Sequence, residues 1–172
     1  MIFRTTLWSG REWMRYCKWC GLVLVLLCGV AVGVAAAAYE RRRYRQAEGF
    51  LALLRHVRGQ IECFSTPLRG IFANCDEGIW ADCGAERVPP RDLAALLRDV
   101  QLLVPQEICR LLLSLAERLG TGYREEQLRC CDYFLERLIP LCDKMRTELP
   151  KRERIALFLP MAVAAIAVLT LM

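Results

Sequence analysis

Residues 19–39, WCGLVLVLLCGVAVGVAAAAY, run for 21 positions without a charged side chain, and their reading decides the fold. At the α-helical rise this stretch is ~31 Å long, close to the thickness of a bilayer's hydrocarbon core. A second uncharged stretch, IALFLPMAVAAIAVLTLM at residues 155–172, would extend ~27 Å. The two carry much of the 55% hydrophobic content, which exceeds the roughly 45–50% of soluble domains. The chain therefore divides into an N-terminal extension (1–18), a transmembrane helix (19–39), a water-facing domain (40–154) and a second transmembrane helix (155–172).

A secretory signal peptide is the rival reading of the first stretch. Arg4, Arg11, Arg15 and Lys18 precede it, and the small residues Ala35 to Ala38 close it. Two features favour a retained anchor. The apolar run is longer than the roughly 7–15 residues of a signal-peptide core. It is followed at once by Glu40-Arg41-Arg42-Arg43-Tyr44-Arg45, and such a basic cluster resists translocation. Cleavage would instead release a secreted, cysteine-rich protein beginning near Tyr39. Leu26-Leu27-Cys28 is a poor lipidation signal, because Leu27 stands where a small residue is expected.

Charge placement sets the expected orientation. Arg41, Arg42, Arg43 and Arg45 follow the first stretch, and Lys151, Arg152 and Arg154 precede the second. These seven outnumber the four basic residues on the N-terminal side, so the domain is expected in the cytoplasm with both termini across the membrane. A start at Met14 would leave only Arg15 and Lys18 on the far side. Otherwise residues 2–18 read as an interfacial helix with Phe3, Leu7, Met14 and Cys17 near one face.

The domain reads as all-α, a membrane-anchored bundle of about 4–6 helices, since no alternating apolar–polar run suggests a strand. Phe50, Leu54, Val57, Ile61 and Phe64 recur at helical spacing, with no proline or glycine at 40–48 to separate them from the first span. Ser65-Thr66-Pro67 should end that helix and cap a short one presenting Leu68, Ile71, Phe72 and Cys75. Residues 76–90 hold the turn formers Asp76, Gly78, Gly84, Pro89 and Pro90, with Ile79 and Trp80 as plugs against the core. A helix is expected over Arg91 to Val104, turning Leu93, Leu96, Leu97, Val100 and Leu103 inward. Another starts at Pro105, carries Ile108, Leu111, Leu112, Leu115 and Leu119, and ends at a left-handed Gly120. The last runs from about Arg124 to Glu148. Its seam of Leu128, Cys131, Leu135, Leu138, Cys142, Met145 and Leu149 should pack antiparallel on the Phe50–Phe64 seam. Pro140 should kink it, Pro150 should form an elbow, and Pro160 should kink the second span.

The chemistry expected of these residues is sparse. No phosphate-binding or dinucleotide-binding glycine motif occurs. His56, the single histidine, sits between arginines and reads as a helix-surface residue; Glu125-Glu126 reads as a helix start facing the dipole. Cys17-x-x-Cys20 lacks the two further ligands that zinc requires. The domain's seven cysteines are odd in number and fall partly on apolar faces, which suits reduced thiols used as small hydrophobes. Cys75 and Cys83 should then resist a membrane-impermeant thiol reagent if the domain is cytoplasmic. No catalytic residue, cofactor, metal, nucleic acid or small-molecule substrate is expected. The basic collar suits anionic lipid headgroups. Gly21, Gly29 and Gly33 form a candidate small-residue face, with Gly29-x-x-x-Gly33 at helix-pairing spacing, and a homo-oligomer is a candidate state. Asp92, Asp99 and Glu107 are a candidate landing surface for a basic partner; the plainer reading is a solvated surface.

In this order of features the sequence resembles the stage III sporulation protein AB family of endospore-forming bacteria. The resemblance rests on a membrane helix at each end and on the basic patch Glu40 to Arg45. It rests also on the helix ending near Glu62 before Thr66-Pro67-Leu68, and on LLLSLAERLG at 111–120 followed by Gln127. The long N-terminal extension, the abundant cysteine, Pro140 and residues 76–90 depart from the family pattern. The resemblance implies a fold like the F protein of type II secretion systems. It also implies a scaffolding role in the channel-like complex joining mother cell and forespore. There the bundle would couple an ATPase of the same operon to membrane partners, on the mother-cell side and facing the cytoplasm. The competing class is a bitopic membrane regulator.

Overall fold

The computed structural model describes residues 10–64, 68–85, 92–120 and 122–171. Among them are six helices and no strand: α1 (Gly10–Phe64), α2 (Leu68–Ala73), α3 (Glu77–Cys83), α4 (Leu93–Asp99), α5 (Gln106–Arg118) and α6 (Arg124–Leu171). The all-helical expectation holds. The chain forms two compact units, residues 1–38 with 151–172, and residues 39–150.

The unit at 39–150 is the bundle. Phe50, Leu54, Val57 and Ile61 of α1 are all buried, as is the α6 seam at Cys131, Leu135, Leu138 and Cys142. Fully burying a side chain of the size of Phe50 or Leu138 contributes ~1.5–3 kcal/mol. The two seams pack antiparallel, as expected of two helices rooted in the same membrane. The Cys142 thiol lies 3.7 Å from the Ala47 carbonyl, and Arg58 Nε donates to Asp132 Oδ1 at 2.5 Å. Arg124 Nε donates to the Ile61 carbonyl at 3.0 Å, and its Nη2 donates to that of Glu62. Ascending numbers on α1 thus meet descending numbers on α6. Ile71 and Phe72 of α2, Leu93, Leu96 and Leu97 of α4, and Ile108, Leu112 and Leu115 of α5 complete the core.

Local chemistry sets the short helices, and three sequence expectations need correcting. The first concerns residues 76–85, which form a capped helix rather than a run of turns. Asp76 accepts from Gly78 N at 3.1 Å as N-cap, and Gly84 closes the helix at φ 95°. Trp80 is buried and Ile79 packs against the core, as expected of the plugs. The second concerns the helix at Arg91–Val104, which is only Leu93–Asp99. Val100 turns extended at ψ 135°, and proline at 105 disfavours a helical Val104. The third concerns α6, which does not end near Glu148 but runs on to Leu171, so that Pro140, Pro150 and Pro160 all lie inside one helical element. The lost donors at those prolines do not interrupt the element.

The remaining boundaries match. Pro105, at φ −55°, precedes α5, and Gly120, at φ 93°, follows it. Glu125 and Glu126 occupy the first turn of α6, and Glu126 accepts from Tyr123 N at 3.3 Å. Thr66, Pro67, Pro89 and Pro90 lie outside the described residues.

In the other unit the apolar stretches of α1 and α6 are each long and apolar enough to cross a membrane. Only 17% and 6% of these windows is buried, unlike the core helix of a soluble protein. Leu24, Leu27, Phe158 and Leu169 are among the large apolar side chains left exposed.

Candidate functional site

The polar chemistry of the bundle centres on Gln46 of α1, its one buried polar or charged side chain among the described residues. Gln46 is one turn before Phe50 and so points to the core face of an amphipathic helix. The amide resolves the resulting desolvation by using both ends. Nε2 donates to the carbonyls of Cys83 and Gln101, each at 3.0 Å, and Oε1 accepts from Leu103 N at 2.7 Å. Cys83 ends α3, and residues 101–103 join α4 to α5 in a non-helical conformation. A single side chain thus ties α1 to two segments that lack helical partners of their own.

Two glycines make this junction close. A Cβ on Gly49 would lie 2.8 Å from both Asp82 C and Cys83 N, backbone atoms that cannot rotate away. A Cβ on Gly84 would meet Val100 Cγ1 at 3.1 Å and Gln46 Nε2 at 3.3 Å. Sequence reading missed Gln46 and Gly49. The available signal was a polar residue and a glycine on the core face of a helix otherwise lined by Phe50, Leu54 and Val57.

Cys75, Cys83, Cys131 and Cys142 are buried in the core, where they act as small apolar residues. Burial pushes the thiols of Cys83 and Cys131 up to about 12 and that of Cys142 to about 11. Their reactive thiolate is therefore scarce near neutral pH. Cys63 is exposed. Protection of Cys75 and Cys83 follows from packing alone, so Cys63 is the informative reporter of sidedness. His56 is half-buried on α1, and its Nε2 finds no hydrogen-bond partner.

The other sequence-selected residues fall in separate places. Asp92 is the N-cap of α4 and accepts from Ala95 N at 2.6 Å, so its carboxylate is already engaged. Asp99, the last residue of that helix, and Glu107, in the first turn of α5, are exposed. Gly29 and Gly33 face the second apolar stretch. A Cβ on Gly29 would meet Ala164 Cβ at 2.7 Å, and one on Gly33 would meet the Leu157 carbonyl oxygen at 3.0 Å. Gly21 faces open space. Gly33→Leu is therefore expected to cost ~1–3 kcal/mol of stability in detergent micelles, while Gly21→Leu stays within about 0.5 kcal/mol. Thermal unfolding of both variants checks this; equal shifts would argue against the pairing. Among the described residues no cluster of three or more His, Cys, Asp or Glu could hold a metal ion.

Gln127, quoted above as part of the family resemblance, donates from Nε2 to the Gly122 carbonyl at 2.8 Å and so pins the turn that opens α6. The family model for stage III sporulation protein AB matches residues 18–83, from just before the first apolar stretch to the end of α3. Leu111–Gly120 and Gln127 lie beyond that range, whereas residues 76–83, thought to depart from the pattern, lie inside it. No curated protein and no solved structure matches the chain.

Proposed function

We propose that the chain, whose residues 18–83 match the family model for stage III sporulation protein AB, belongs to that family and is a non-enzymatic membrane scaffold. It acts in the secretion-like channel complex between mother cell and forespore, with its bundle in the cytoplasm. There the bundle couples an ATPase of the same operon to membrane-embedded partners. One observation carries the reading. α1 and α6 each hold an exposed apolar stretch and a core-forming stretch in one unbroken helix, which suits a docking platform tied to its anchor. The seven basic residues flanking the apolar stretches support the cytoplasmic orientation.

Co-purification tests the scaffold. The full-length protein, solubilised from sporulating cells, is expected to retain the operon's ATPase. Asp99→Lys with Glu107→Lys is expected to weaken that retention about tenfold if the exposed acidic residues meet a basic surface on the ATPase. Retention of no ATPase, in a preparation that keeps other membrane proteins, would favour a bitopic regulator instead.

A further inference from the structure

Two exposed arginines stand on α1 just past the first apolar stretch. Tyr39, Arg42 and Arg45 recur at every third residue, a spacing that sets side chains beside one another along one helix face. All three are exposed, Tyr39 at 48%. Arg42 and Arg45 lie ~4.5 and ~9 Å beyond Tyr39 along the helix axis. A tyrosine at the end of a span belongs at the boundary between hydrocarbon and headgroups, where its ring is apolar and its hydroxyl wet. The two guanidinium groups, on long flexible stems, can therefore reach the layer of lipid phosphates.

The other charges of this segment are already committed. Arg43 pairs with Glu40 at 3.7 Å, and Glu48 accepts a hydrogen bond from the Tyr44 hydroxyl. Arg41 is engaged within the protein. Arg42 and Arg45 make no ion pair among the described residues. Both carboxylates of residues 39–48 are thus held by neighbours, and the charge offered to the surroundings is that of two guanidinium groups. Guanidinium binds phosphate through parallel N–H···O bonds, and the choline of a zwitterionic headgroup would repel it. Lipid phosphates meet side chains at this position without any further assembly, which favours lipid over an acidic segment of another protein.

We propose that Arg42 and Arg45 together bind the phosphate of an anionic phospholipid in the leaflet that Tyr39 borders. The inference rests on the reading of residues 19–39 as a membrane span, and it adds a lipid preference to that reading. Lys151 and Arg154, exposed beside the second apolar stretch, belong to the other compact unit and stay unchanged in the test.

The full-length protein, purified in neutral detergent, is titrated with phosphatidylglycerol or phosphatidylcholine, and bound lipid is counted by native mass spectrometry. Phosphatidylglycerol is expected to bind at the lower concentration. One arginine at an anionic surface is worth about a fivefold change in affinity. Arg42→Gln with Arg45→Gln should therefore lower the phosphatidylglycerol affinity about tenfold or more and leave that for phosphatidylcholine unchanged. Arg55→Gln with Arg110→Gln, the same charge change at exposed positions elsewhere on the bundle, should alter neither. Equal affinities of the wild-type protein for the two lipids would overturn the proposal, as would a preference that survives the Arg42 and Arg45 changes or falls equally with the control pair. The span is read separately, by retention of the protein in carbonate-washed membranes. A chain that carbonate extracts would overturn the span reading and the proposal together, whereas a retained chain with no lipid preference would overturn the proposal alone.

Discussion

Gln46→Ala is expected to destabilise the bundle by ~3–5 kcal/mol, the largest effect of any single truncation at this junction. The change removes three hydrogen bonds and leaves two carbonyls, of Cys83 and Gln101, and the Leu103 N–H without their partner. The Cys83 bond is buried, so its carbonyl left unpaired costs ~1–3 kcal/mol; the Gln101 and Leu103 groups are part-buried and cost less each, and the buried methylenes are lost as well. Gln46→Glu sharpens the test because it keeps the shape and changes only the donor. A protonated carboxyl can still donate to one carbonyl, whereas a carboxylate faces two oxygens with nothing to give. The folded state therefore raises this carboxyl's pKa above its unfolded value of about 4.3. With the proton held more tightly in the folded state, the variant is most stable below about pH 4.3 and loses stability as pH rises through the folded-state pKa. Chemical denaturation of the wild-type and variant proteins across about pH 4 to 8 reads the difference. A variant whose stability relative to wild type is flat with pH would show that the amide does not make these bonds.

Gly49→Ala and Gly59→Ala are expected to move stability in opposite directions although both lie in α1. A methyl at 49 would press on the backbone of Asp82 and Cys83 at 2.8 Å, so either α1 or α3 must shift, at ~1–3 kcal/mol or more. At 59 nothing lies within 4 Å, and alanine should stabilise the helix by ~0.5–1 kcal/mol through its higher propensity. Thermal unfolding of the two variants in identical micelles compares them directly. A stabilised Gly49→Ala protein would mean that α1 and α3 do not approach as described.

Much of this architecture was legible because it rests on periodicity. The Phe50–Ile61 and Cys131–Cys142 seams repeat at heptad spacing, and their antiparallel pairing follows from the two helices being rooted in the same membrane at opposite ends of the domain. Gly120 is readable as a left-handed residue because a leucine-rich stripe stops just before it. What was not legible depends on contacts between segments far apart in sequence. Residues 101–104 look helical by their apolar content. They are non-helical, and Gln46, some 55 residues earlier, takes the Gln101 carbonyl and the Leu103 N–H. Residues 76–85 look like turns because aspartate and glycine there are caps of a seven-residue helix, too short to show a period. The prolines of α6 illustrate the converse. Local propensity argues for a kink at Pro140 and an elbow at Pro150; the helical element runs on through both, and around Pro140 the side chains of Leu138 and Cys142 bury a shared face. The acidic candidate surface was legible only in part, since Asp92 reads as a surface charge but serves as a cap.

The central claim is that both apolar stretches stay in the membrane and hold the bundle on its cytoplasmic side. Cys63 tests it most directly, being exposed and outside both stretches. Intact sporulating cells are treated with an impermeant maleimide, and the protein is then isolated and its labelled peptides are mapped by mass. Cys63 is expected to stay unlabelled until the membrane is permeabilised and then to react fully. Labelling of Cys63 in intact cells, or recovery of a chain that begins near Tyr39, would contradict the account.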